Sequence, residues 1–179
     1  REAMMAGDGG LIGGGAAPGS DDDDNAWRRR TDWRREQGDE QMPVGQQITE
    51  AAERVVGHVS ADRLWQRHMD LARFGAREDG GVDRQALSAE EIAARHHLIA
   101  IARARGLSVA TAPAGNLFFR LAGREPHLPP VLSGSHMDSQ PTGGRFDGIF
   151  GVLAAMEVLE ALRDSGHQPR RSIEAVAWM

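Results

Sequence analysis

Apolar residues fall into recognisable periods from about Ile48 onward, and those periods predict an alternation of helices and strands. Ser60 can cap a helix whose buried side would hold Leu64, Trp65, Met69 and Ala72. Gly80-Gly81 interrupts the pattern. Ser88 and Glu91 have capping-box spacing and open a second helix, with Ile92, Ile99 and Ala102 toward the core and Gly106 at its end. Residues 107–111 and 116–121 read as strands joined by a turn at Pro113-Ala114-Gly115. Residues 131–135 form a short apolar strand, 149–162 a helix rich in apolar residues, and 173–179 a strand expected to be buried on both faces. Strand, helix and strand in that order predict a parallel βαβ unit. Ligands in open α/β sheets gather outside the carboxyl ends of the strands, which points to residues 136–148.

Residues 1–45 differ. Gly and Ala dominate positions 7–19, four aspartates follow at 21–24, and a basic stretch holds Trp27 and Trp33. No helical or strand period runs through them, so a disordered low-complexity tail is expected, with the domain occupying 46–179. The aspartates lack the glycine and distal glutamate of a calcium loop. The chain starts at Arg1 and stops within an apolar run at Met179, which reads as a truncated sequence at both ends.

Composition narrows the chemistry. The formal net charge of -5 gives no global bias toward nucleic acid or an acidic membrane. Cysteine is absent, so any metal must be held by His, Asp or Glu, and a reducing, cytoplasmic setting is expected. No apolar run reaches the roughly 18–20 residues of a membrane span, and no secretory signal is visible.

The segment from Gly134 to Gly148 carries the candidate chemistry. His136 leaves the strand end, and Asp138 lies close enough to accept a hydrogen bond from one imidazole nitrogen, leaving the other for a metal. Asp147 stands where the next helix begins, and its two oxygens could bridge two cations about 3.5–4 Å apart. Two plainer readings stay open on spacing alone: a polar loop with a surface histidine and two capping carboxylates, or a Gly-Ser-His-Met tag remnant. His58, His68, His96, His97, His127 and His167 read as structural or solvated, and Glu157, Glu160 and Glu174 as surface groups.

The run from Gly134 to Leu162 resembles the metal-binding region of the M20-type zinc amidohydrolases, in the branch of N-carbamoyl-L-amino-acid hydrolases and β-ureidopropionases. Gly80-Gly81-Val82 with Arg84, Ala86-Leu87-Ser88, Arg95 and Gly115-Asn116-Leu117-Phe118 carry the same resemblance upstream. It implies a three-layer α/β/α, zinc-exopeptidase-like catalytic domain with a mixed sheet, here without its inserted dimerisation domain and C-terminal half. It implies His136 and Asp147 as metal ligands, Asp147 bridging, and Asp138 as an active-site residue beside His136. It also implies two Zn2+ per site (with Mn2+, Co2+ or Ni2+ as substitutes), a homodimer, and a general-base glutamate beyond Met179. The expected reaction is hydrolysis of a linear amide, the ureido group of an N-carbamoyl amino acid. Allantoate, ureidoglycolate or a peptide are the rival substrates, and a non-catalytic metal-binding relative is the rival of another class. No nucleic-acid or membrane partner is expected.

Overall fold

A computed structural model describes residues 43–179. The glycine-rich segment, the aspartate run and the Arg/Trp stretch lie outside the described residues. Four helices and four strands follow in order: α1 (Val44–Val56), α2 (Ala61–Leu71), α3 (Ala89–Ala104), β1 (Ser108–Thr111), β2 (Leu117–Leu121), β3 (Val131–His136), α4 (Ile149–Asp164) and β4 (Ile173–Trp178). Helix α1 has no counterpart in the sequence reading beyond a globular pattern starting near Ile48. Its apolar residues rest on α4 without any becoming fully buried.

The sheet order is β1-β2-β4-β3. The β1–β2 and β2–β4 pairs are antiparallel and β3–β4 is parallel, so the sheet is mixed, as expected. Helix α4 is the crossover between β3 and β4 and packs on both. One contiguous core joins Leu71 of α2, Leu98 and Ala102 of α3, Leu117 and Phe119 of β2, Ala175 and Ala177 of β4, and the buried side of α4. Residues alternate across a strand, so this core lies on one face of the sheet. The described residues thus supply a helical layer and a sheet layer.

Local signals work where they are chemical. Ser60 and Ser88 accept the backbone N–H of Arg63 and Glu91 and start their helices. Gly106 and Gly115 sit at positive φ at the predicted helix end and turn. The capping box at Ser88 is only half formed, because the Glu91 carboxylate pairs with Arg95 instead of turning back.

Helix faces are where the sequence reading needs correction. On α2 the buried residues are His68 and Leu71, with Leu64 partly buried beside them, while Trp65 is 53% exposed. That stripe follows i, i+4, i+7, which puts Trp65 one step off the core. On α3 the stripe runs through Glu91, Ala94, Leu98 and Ala102, leaving Ile92 exposed. A polar residue inside the stripe hides its phase from an apolar count. The largest correction is on α4: Glu157 and Glu160 are not surface groups but are 2% and 0% exposed. Glu157 accepts the Ser60 N–H at 2.7 Å and faces Arg63, so it serves the N-terminal end of α2. Glu160 lies among Arg67, Arg105 and Arg63 at 2.5, 3.0 and 3.5 Å. On β4, Ala175, Val176 and Ala177 are buried on both faces as expected, whereas Trp178 emerges at the strand end.

His68 behaves as a core residue. It is 3% exposed, stacks on Phe150 and tilts against Phe146, and among the described residues neither ring nitrogen has a hydrogen-bond partner. Burial lowers its pKa below the ordinary 6.5. Below about pH 6.5 the unfolded chain therefore binds the proton before the folded one does, and stability falls as pH drops toward the folded pKa. His68→Phe should make that fall shallower, as read from urea midpoints at pH 7.5 and 5.5. An unchanged slope would show that His68 does not contribute to it.

Candidate metal centre

Strand β3 delivers His136 at its carboxyl end, in register with Trp178 at the end of β4. Both parallel strands therefore finish at the same mouth. The chain then turns through 137–143 and returns to start α4 at Ile149, placing Asp147 opposite His136. The ends of this turn are pinned by an upstream segment: Val82 and Gly143 exchange backbone hydrogen bonds at 2.9 and 3.0 Å, and Arg145 Nε donates to the Gly80 carbonyl at 2.9 Å.

The three sequence-predicted residues come together. His136 Nδ1 lies 2.9 Å from Asp138 Oδ1, and His136 Nε2 lies 3.7 Å from Asp147 Oδ2. A neutral imidazole that donates Nδ1–H to Asp138 turns its Nε2 lone pair toward the Asp147 carboxylate. Two acceptors then face each other, an arrangement that a cation between them satisfies. Two donors each 2.0–2.2 Å from a shared tetrahedral ion stand about 3.3–3.6 Å apart, so the observed pair fits an ion with a small closure. Asp147 is 81% exposed on its side chain, which leaves its second oxygen available. Gly148 completes the cradle. It adopts φ 67°, and a Cβ there would lie 2.3 Å from the His136 ring, so only glycine admits the imidazole at this helix start.

The fit is partial. Among the described residues no group of three or more His, Asp or Glu is arranged to hold one ion. A catalytic zinc commonly has three protein ligands, and here two side chains converge. The tag-remnant reading does not survive, because Ser135 and His136 of β3 pair with Ala177 and Trp178 of β4 and Met137 is fully buried. Sequence reading missed the part played by Arg84. Its guanidinium is 1% exposed and donates to the carbonyls of Met137, Leu71 and Phe74 at 3.0, 2.9 and 3.3 Å. The available signal was a lone arginine after Gly-Gly-Val, seen only as part of a resemblance.

No family model matches the chain. Over 120 residues it is 42% identical to an N-carbamoyl-L-amino acid amidohydrolase of Geobacillus stearothermophilus, covering 67% of this chain and 29% of that protein. A hydantoinase/carbamoylase family amidase of Burkholderia vietnamiensis superimposes with a TM-score of 0.66 at 46% identity, covering 68% of this chain and 29% of that one. The chain is a homologue of the hydantoinase/carbamoylase family amidases. A ureidoglycolate hydrolase of Oryza sativa is also similar, at 36% identity over 121 residues, 68% of this chain and 25% of that protein. The chain thus spans between a quarter and a third of the length of these relatives. The mixed α/β fold and the family named from the sequence motifs both stand. Among the described residues no helix is long and apolar enough to cross a membrane.

Proposed function

We propose that this chain is the N-terminal part of the catalytic domain of a metal-dependent amidohydrolase that cleaves the ureido group of N-carbamoyl amino acids. What supports the reading is the placement of His136, Asp138 and Asp147 at one strand mouth in a homologue of carbamoylases. In this reading residues 43–179 belong to the domain, whose first helix starts at Val44 rather than at the expected 46, and the metal is zinc, two ions per complete site. The complete protein is a cytoplasmic homodimer by the same family resemblance.

His136 would offer Nε2 as a ligand, and Asp147 would offer a carboxylate able to serve both ions. Asp138 accepts the Nδ1–H of His136, holding the ring and its tautomer. Bound zinc would supply polarisation of the scissile carbonyl and acidification of a water. The proton must then reach a base near the strand mouth. Glu157 and Glu160 are buried among arginines, and Glu174 pairs with Arg120 at 2.5 Å. The family resemblance puts that base beyond Met179, and on this reading the 179-residue chain alone should not turn over.

The test is hydrolysis of N-carbamoyl-L-amino acids, allantoate and ureidoglycolate by the chain extended to the length of its relatives, with zinc or manganese added. N-carbamoyl substrates should be cleaved fastest. Preferred cleavage of ureidoglycolate would favour the second reading, which the similarity to the rice hydrolase supports. No hydrolysis of any of the three would reject the proposal, as would turnover by the 179-residue chain reject the placement of the base.

A further inference from the structure

A guanidinium buried without a carboxylate in contact is costly, because desolvation is not offset by a nearby opposite charge. Arg84 is in that position: among the described residues no Asp or Glu lies within ion-pair reach of it, and it is 1% exposed. Its donors go to main-chain carbonyls. Leu71 is the last residue of α2 and Phe74 lies in the turn after it, so the charge sits at the negative end of a helix dipole. Its Nε reaches across to the Met137 carbonyl, the residue between His136 and Asp138. Burial holds the Arg84 pKa below its ordinary value, and the Glu91 and Asp138 carboxylates oppose this only from a distance.

The backbone of Arg84 holds the same turn a second time. Its N–H donates to Ser139 Oγ at 2.8 Å, and its carbonyl accepts the Ser139 N–H at 2.8 Å. Residues 137 and 139 are thus fixed on either side of Asp138, while Asp138 is left to face His136. Nothing else among the described hydrogen bonds ties the Met137 carbonyl down.

We propose that Arg84 is a positioning residue for the metal centre, holding the turn 137–139 against the end of α2 so that Asp138 orients His136. This rests on the reading of His136 and Asp147 as metal ligands. A lysine at 84 keeps the charge but is a point donor, and cannot fork between the end of α2 and Met137.

The experiment measures zinc affinity by chelator competition on the extended chain, with folding checked by circular dichroism. In Arg84→Lys the zinc dissociation constant should rise about 10–100-fold, the usual consequence of losing a group that orients a ligand, with the spectrum unchanged. Arg84→Met should weaken zinc at least as much. An affinity within about twofold of the parent in a folded Arg84→Lys protein would overturn the proposal, including when only its thermal midpoint falls. Should neither Arg84 variant fold, Ser139→Ala decides, because it loosens the same turn from its other side. Weakened zinc binding there supports the role, and unchanged binding overturns it. His136→Ala separates the two levels: if it leaves zinc binding intact, the metal assignment itself fails. If it abolishes binding while Arg84→Lys does not weaken it, only the positioning role fails.

Discussion

Replacing Asp147 with alanine in the extended chain should lower the hydrolysis rate at least about a hundredfold, because even groups that merely orient a metal ligand are worth about 10–100-fold. Asp147 stands nearer to the chemistry than such a group. Its carboxylate faces His136 Nε2 at 3.7 Å with its side chain open to solvent, and in the proposed site it is the one ligand both ions share. Loss of the bridge removes attraction for two cations at once and leaves His136 Nε2 with no described partner. The zinc content of the purified variant should fall together with the rate. Asp147 lies ahead of α4 rather than in it, and among the described residues no hydrogen bond to its side chain supports the fold, so thermal stability should change little. Unchanged turnover in Asp147→Ala would remove the bridging role. Lost turnover with full zinc occupancy would assign Asp147 a role other than ligand.

The second large effect concerns stability. Glu160→Ala should cost about 3–5 kcal/mol, the range found when one partner of a buried ion pair is removed. Glu160 is 0% exposed, and Arg67, Arg105 and Arg63 all converge on it. Among the described residues neither of its oxygens makes a well-directed hydrogen bond, so the attraction is that of several charges around one. Without the carboxylate Arg67, with its side chain 11% exposed, loses its near partner where α2 meets α4, while Arg63 and Arg105 keep Glu157 and Asp164. Against a total stability of about 5–15 kcal/mol for an ordinary domain, such a loss moves a large fraction of molecules to the unfolded state. The check is the urea midpoint of the variant against Glu125→Ala. Glu125 pairs with Arg170 on the surface, where solvent screens the pair, and its removal should leave the midpoint in place. Equal midpoints for the two variants would show that the buried cluster contributes nothing particular.

The two predictions divide along what could be read in the chain. The role of Asp147 as a ligand came only from the family resemblance, but its place at a helix start, eleven residues after a strand-end histidine, was legible because that signal is local. The role of Glu160 was not, because a glutamate in an apolar helix looks the same whether it meets water or an arginine from another element. Its partners Arg63, Arg67 and Arg105 come from α2 and the end of α3, separated from it by more than fifty residues of chain. The same blindness explains Trp65 and Ile92. Periodicity reports that a helix has an apolar side, but its phase depends on which neighbour covers it.

By itself, the sequence determined the alternation of helices and strands, the two serine caps, the Gly115 turn, and the grouping of His136, Asp138 and Asp147 around one strand end. These depend on interactions between residues close in the chain, and the backbone rules governing them act without reference to the rest of the molecule. Only the tertiary structure decided the order β1-β2-β4-β3, the burial of Glu157 and Glu160, and the attachment of Arg84 to the turn 137–139. Each of these joins groups distant along the chain. Whether a charged side chain is solvated or enclosed is settled by the element packed over it, and that element is chosen by the whole core at once.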